Sequence, residues 1–301
     1  MKLLVLCVDG FLDPSDPAKP RIKGMPYETS LSIPKVLYTT HMGKRENGVT
    51  IAKEEPSTLK IWASILTGKI LEDPFYSLGV QQEGLRYRLR MLCHSLGLRW
   101  RRENWTLFPK KKIFNSVTPN YELTTVADEY NSVMWNIPTI CPEFIYQFPD
   151  EDTLLSTRKR EYKVWKLLAQ SLAVSEEYDL GIIYFHLLDI LGHYKQPLLK
   201  EYKEVVTLAR VLSEICDVMI VSDHGTSPKT GHHTDLAYFG STRPITATSV
   251  LDVADEIRNV MTLNNVSMEP EQLIRYAMDR KASWDEYSEA RYAMDRKAFE
   301  V

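Results

Sequence analysis

The sequence predicts an α/β fold with a mainly parallel central sheet covered by helices on both faces. Three observations carry that expectation. Short apolar runs bounded by turn residues recur along the chain, as strands buried on both faces do. Helix-length amphipathic segments separate them, the spacing of crossover connections. Asp/His pairs fall just after two of the runs, where open α/β sheets place their chemistry.

The first run, Met1 to Val8, ends at Asp9-Gly10 without a small-residue cleavage site and reads as a strand rather than a signal peptide. Asp9 then stands at a strand end, either as a plain turn residue or as a ligand beside a glycine that leaves room for one. Residues 13–34, rich in Pro, Asp and Ser, predict irregular surface chain. A helix is expected over Ile33 to Met42, stopped by Gly43, and a short strand over Val49 to Lys53. Pro56 and Ser57 open a helix with an Ile61, Ile65, Leu66 stripe that Gly68 ends. Thr58 therefore lies in a first helical turn. Two readings of that turn stand: Ser57 or Thr58 caps it, or its free N–H groups favour an anion beside the Thr58 hydroxyl.

Residues 71–130 interrupt the pattern. Arg86, Arg88, Arg90, Arg99, Arg101, Arg102, Lys110, Lys111 and Lys112 are interleaved with Trp100, Trp105 and Phe108. The 86–112 segment suits either a solvated basic face or a surface holding phosphate by charge while rings stack on bases.

From Asp152 to Glu176 the pattern is helical. Tyr178 to Leu188 predicts a strand running into Asp189 and His193, and a helix over Gln196 to Cys216 leads to the Val218–Val221 strand and Asp223-His224-Gly225. After His232 and His233 come a last core strand near Leu236 to Gly240 and a packing helix over Thr246 to Met261. In the tail, Arg275–Ala282 recurs identically as Arg291–Ala298, which predicts an extended amphipathic helix that packs on the core, pairs with another subunit, or is a neutral duplication.

Totals constrain less. The 301 residues are 44% apolar and 26% charged, with a formal charge of -3, an ordinary globular balance that gives no global pull toward nucleic acid or an anionic membrane. No apolar stretch is long enough to span a bilayer. Cys7, Cys93, Cys141 and Cys216 form no CxxC motif and read as buried thiols of a reducing compartment, hence a cytoplasmic location.

Asp9-Gly10, Thr58-x-x-x-Trp62-x-Ser64-x-x-Thr67-Gly68, Asp189-x-x-Gly192-His193, Asp223-His224-Gly225 and His233-Thr234 occur in an order that resembles the alkaline phosphatase superfamily. Its type I phosphodiesterase and nucleotide pyrophosphatase branch is the most similar, and Asn136-Ile-Pro138-Thr-Ile-Cys-Pro142 resembles a strand end of that branch. The match covers residues 1–70 and 130–250. It implies a catalytic core over 1–70 and 131–262, an inserted cap at 71–130 and a helical tail at 263–301. It further implies two divalent ions, zinc by preference with manganese or iron as alternatives. Asp9, Thr58, Asp223 and His224 would hold one, and Asp189, His193 and His233 the other, with His232 behind them. Thr58 would attack the phosphorus of a small phosphorylated substrate such as a nucleotide and become a covalent phosphothreonine.

The N-P-x-x-H-G continuation expected after Gly68 is missing, which leaves Lys60 or Lys69 as stand-ins for the asparagine that cradles a phosphoryl oxygen. A phosphomonoesterase or phosphomutase of the same superfamily would share the whole set. A binding protein using the 86–112 segment or the tail, for nucleic acid or a second subunit, is the non-catalytic alternative. A sulfatase is disfavoured, because no C-x-P-x-R or S-x-P-x-R sequence surrounds Thr58.

Overall fold

The computed structural model describes residues 2–11, 25–46, 49–71, 123–138, 140–141, 151–227 and 231–265. The basic segment at 86–112, most of the expected insertion and the repeated tail lie outside them. Six strands form one sheet: β1 Leu3–Val8, β2 Tyr27–Ser32, β5 Ser132–Trp135, β6 Leu180–Phe185, β7 Asp217–Val221 and β8 Leu236–Ser241, in the order β2-β8-β7-β1-β6-β5. β1 pairs in parallel with β6 and β7, and β5 in parallel with β6; β8 pairs antiparallel with β7 and with β2. Two further strands, β3 Tyr38–Glu46 and β4 Val49–Pro56, make a separate antiparallel pair.

The apolar run of β1 is explained by its place. Its alternating side chains point to opposite faces, and both faces are covered. Leu3, Val5 and Cys7 join a core with Ile61, Trp62, Ile65 and Leu66 of α1 (Thr58–Thr67) and with Val253, Ile257 and Met261 of α5 (Val253–Asn265). Leu4, Leu6 and Val8 join the opposite core with Tyr162, Trp165 and Ala169 of α2 (Glu151–Ala173) and Val205, Val206 and Ala209 of α4 (Leu199–Leu212). The result is the expected α/β arrangement, a mainly parallel sheet between two helical layers.

Several boundaries differ from the sequence reading. In place of a helix over 33–42 there is one 3-10 turn, Lys35–Leu37, followed by β3. Tyr38-Thr-Thr carries β-favouring residues, and pairing with β4 satisfies a backbone that a helix ending at Gly43 would have satisfied internally. Part of the segment read as irregular is β2, an edge strand whose ladder to β8 gives it structure despite its weak pattern. The strand read as Tyr178–Leu188 stops at Phe185, and a short helix, α3 (Leu187–His193), takes over. Asp189 is thus carried on a helical turn beyond the strand end. The final helix begins later than expected because Ser249 and Asp252 cap a 3-10 turn before it: the Leu251 amide donates to Ser249 Oγ, and the Ser249 amide to Asp252 Oδ2.

Cys7, Cys141 and Cys216 are buried free thiols, whereas Cys93 lies outside the described residues. Burial first, then the Asp223 carboxylate, pushes the Cys7 thiol well up. Among the described residues no helix is long and apolar enough to cross a membrane.

At the amino-terminal edge of β7, Asp217 is buried and receives a two-pronged hydrogen bond from Arg243, at 3.0 Å from Nε and 2.9 Å from Nη2 to Oδ2, with Thr242 and Asn264 also donating. Removing one partner of a buried pair strands the other charge. We therefore expect Arg243→Met to lower the urea-unfolding free energy by about 3–5 kcal/mol. A loss under about 1 kcal/mol would show that Thr242 and Asn264 suffice to hold the Asp217 carboxylate.

Candidate metal centre

Strand register assembles the centre. Because Val8 pairs with Phe185 and Cys7 with Val221, the residues that follow, Asp9, His186 and Asp223, continue one row at the carboxyl edge of the sheet. They also continue the parity of Cys7, Tyr184 and Val221, the face packed by α1. The first turn of α1 comes down on that row, where Thr58 Oγ1 lies 3.0 Å from His224 Nε2. Ser57 is the N-cap residue, but its side chain makes no capping bond.

The structure brings together the seven residues named as cation ligands, Asp9, Thr58, Asp189, His193, Asp223, His224 and His233. His224 Nε2 is 3.0 Å from Asp223 Oδ2 and 3.5 Å from Asp9 Oδ1. On the other side, His193 Nε2 is 3.2 Å from Asp189 Oδ2, His233 Nε2 is 3.5 Å from Asp189 Oδ1, and the two imidazole Nε2 atoms are 3.1 Å apart. The His224 and His233 rings stack at 3.6 Å between centroids and so join the two halves.

Other candidates fall elsewhere. His232 is half exposed, its Nδ1 2.9 Å from Glu55 Oε1. The Lys60 ammonium donates to the Tyr38 carbonyl at 3.4 Å. Lys69 follows Gly68, the C-cap of α1, at the end of the helix opposite Thr58.

Two participants were not anticipated. His186 is buried between the halves, with Nε2 3.3 Å from Asp9 Oδ2 and 3.4 Å from Asp189 Oδ2. Its place three residues before Asp189, on the turn that presents Asp189, is the signal that could have found it. The Tyr184 hydroxyl donates a short hydrogen bond to Asp9 Oδ2 from within β6; a tyrosine inside an apolar strand needs such a partner.

The electrostatics are those of a site short of positive charge. Asp9 is fully buried, and burial followed by the Asp223 and Asp189 charges lifts its carboxyl well above the usual range. Burial would do the same to Asp189, but hydrogen bonds from His186, His193 and His233 outweigh it and hold that carboxyl well below its ordinary value. Burial lowers His186 to about 4. For His193, burial alone would lower the imidazole, yet the Asp189 carboxylate more than offsets it and pushes the group up to about 9.

These donors fit divalent cations. Asp9 Oδ1 and both Asp223 oxygens are buried and accept no hydrogen bond of good geometry among the described residues, a costly arrangement unless a cation compensates. The imidazoles are oriented as metal ligands are. His193 Nδ1 faces the Gly231 carbonyl at 2.7 Å and His233 Nδ1 the Pro56 carbonyl at 3.0 Å. An Nδ1–H in each contact leaves Nε2 on the Asp189 side, where it donates to the carboxylate when protonated and would be the ligand atom when a cation replaces that proton. Candidate ligand groups are Asp9 with Asp223 and His224, Asp189 with His224 and His233, and Asp9 with His186 and Asp189. Carboxylate and imidazole together suit zinc, manganese or iron.

No family model matches the chain, and no curated protein matches its sequence. Among solved structures, the PH0037 protein from Pyrococcus horikoshii is similar at 11% identity over 89% of this chain and 98% of that one, with a TM-score of 0.41. Alkaline phosphatase from the Antarctic bacterium TAB5 is similar at 10% identity over 87% of this chain and 97% of that one, with a TM-score of 0.39. Likeness at this distance bears on neither activity nor ligand.

Proposed function

We propose that the chain is a metal-dependent phosphodiesterase or nucleotide pyrophosphatase that works through a phosphothreonine at Thr58. The observation that carries this reading is the position of the Thr58 hydroxyl, at a helix amino terminus and 3.0 Å from His224 Nε2, at the edge of buried carboxylates and inward-facing imidazoles. Asp9, Asp223, His224 and Thr58 would hold one divalent ion, and Asp189, His193 and His233 a second, zinc by preference. Bound there, such ions supply Lewis-acid charge that lowers the pKa of a hydroxyl and stabilises phosphoryl oxygens.

The residues themselves account for orientation and binding. α1 sets the Thr58 oxygen beside the buried row, and its free amino-terminal N–H groups favour an anion there. The Thr58 hydroxyl gives its proton to solvent as its oxygen bonds to phosphorus in line with the leaving oxygen, whose bond to phosphorus breaks with its electron pair and which takes up a proton from solvent. Water then cleaves the threonine ester, regenerating the hydroxyl and releasing a phosphomonoester. Tyr184 holds Asp9, and the Gly231 and Pro56 carbonyls hold His193 and His233, so the site is set before substrate arrives.

A phosphorylated small molecule such as a nucleotide is the substrate class this site suits. The test compares bis(4-nitrophenyl) phosphate with 4-nitrophenyl phosphate in protein reconstituted with zinc or manganese. Diester turnover at least about tenfold above monoester turnover is expected. The reverse preference would replace the diesterase by a phosphomonoesterase, and no turnover of either would leave a binding protein.

A further inference from the structure

Asp189 is held by a residue outside the proposed ligand set. The Thr226 hydroxyl donates to Asp189 Oδ1 at 2.6 Å, and both groups are buried. Thr226 fills the gap between the turn after β1 and helix α3. A Cβ on Gly10 would come within 2.6 Å of Asp189 Cα and 2.7 Å of Thr226 Oγ1, and one on Gly192 within 2.4 Å of Thr226 Cγ2. Gly10 also has φ +70, which other residues rarely adopt. Two glycines thus make room for one threonine. Its hydroxyl faces Asp189, its methyl faces Gly192, and its backbone forms an antiparallel bridge with His233.

We propose that Thr226 is a positioning residue that sets the second cation site, fixing the Asp189 carboxylate and registering His233 against it. This inference rests on the two-ion reading of the centre. One side of the Asp189 carboxylate, Oδ1, receives the hydroxyl, while Oδ2 faces His186 and His193. Without the hydroxyl, Oδ1 loses its 2.6 Å partner and keeps, among the described residues, only His233 Nε2 at 3.5 Å, so the ligand geometry on that side loosens. Groups that orient metal ligands in this way typically change affinity by about 10–100-fold.

The experiment is calorimetric titration of chelator-stripped, full-length protein with Zn2+, supported by Co2+ visible absorption. Wild type should take up two equivalents. T226V, which keeps the branched shape against Gly10 and Gly192, should bind the first as wild type does and the second about 10–100-fold more weakly. T226S should restore the second. If T226V fails to fold, T226A carries the same expectation with the hydroxyl removed and no added bulk. Hydrolysis should follow, with kcat reduced and KM for the diester little changed. Two ions bound by T226V as tightly as by wild type, equal weakening of both ions, or a T226S variant as weak as T226V would each overturn the role of Thr226 while leaving the two-ion centre standing. A wild-type protein that binds fewer than two ions would instead overturn the centre itself, and the role of Thr226 with it.

Discussion

Thr58→Ala is expected to reduce bis(4-nitrophenyl) phosphate hydrolysis at least about 10³-fold, while circular dichroism and the unfolding midpoint stay near wild type. Losing a nucleophile removes a covalent route that the remaining groups cannot supply, leaving only what charge and binding contribute. The fold should tolerate the change. Thr58 sits in the first turn of α1, alanine is a better helix former, and the hydroxyl's hydrogen-bond contact is with His224 Nε2 rather than with the core. Thr58→Ser keeps the oxygen and should retain activity within about tenfold of wild type. Acid quench during turnover, followed by mass spectrometry, should find a 4-nitrophenyl phosphoryl group on the peptide containing Thr58 in wild type and Thr58→Ser. More than about a tenth of wild-type rate in Thr58→Ala would remove Thr58 from the chemistry.

Chelation is expected to abolish hydrolysis and to lower the unfolding midpoint. An ion at a thousand times its dissociation constant stabilises the folded state by about 4 kcal/mol, or roughly 6 °C for a chain of this size. The pH dependence gives a sharper test, because its sign should reverse. In the chelated protein, His193 is raised to about 9 by Asp189, so its stabilising contribution is complete below the ordinary imidazole value and fades as pH rises through about 9. Asp9 acts in the same direction. Its carboxyl is raised by burial and by Asp223 and Asp189, so the folded state keeps a proton that the unfolded chain releases, and that advantage disappears as pH climbs through the raised value. Asp189 works oppositely but outside this window: held below its ordinary value, it gives a contribution that is lost only as pH falls into the acid range. Chelated protein should therefore lose stability between about pH 6.5 and 9. Protons and cations compete for the same atoms, so with zinc present the stabilisation should instead grow over that interval. Thermal unfolding at four or five pH values, with and without chelator, measures both slopes. Parallel slopes would mean that the carboxylates and imidazoles do not bind the ion.

The site was more legible in the sequence than its supports. Asp9, Asp223 and His224 announce themselves because apolar strands end at a common edge, and an acid directly after such a run has few other places to go. His186 gave no comparable signal. A histidine following Tyr-Phe reads as one more strand residue until the β1–β6 register sets it beside Asp9 and the helix α3 brings Asp189 back onto it. The reading of residues 33–42 as a helix failed for a related reason. Local propensity there is weak, and the pairing of Tyr38 with Pro56 across the hairpin outweighed it.

Composition and pattern by themselves determined the α/β class, the strands β1, β7 and β8 and the helix that begins at Thr58, since burial on two faces writes itself into the spacing of apolar side chains. Pattern also set Asp/His pairs at strand ends, whereas the full set of seven candidate ligands followed only from the resemblance of the motifs to a family. Tertiary structure decided which of those residues meet and what holds them: the register that sets Asp9 beside His186 and Asp223, the turn of α3 that lifts Asp189 off its strand, and the Thr226 hydroxyl fitted between two glycines. The physical reason is range. Periodicity is a property of neighbours along the chain, whereas a carboxylate's partner 37 residues away depends on how packed layers bring distant turns within hydrogen-bond distance.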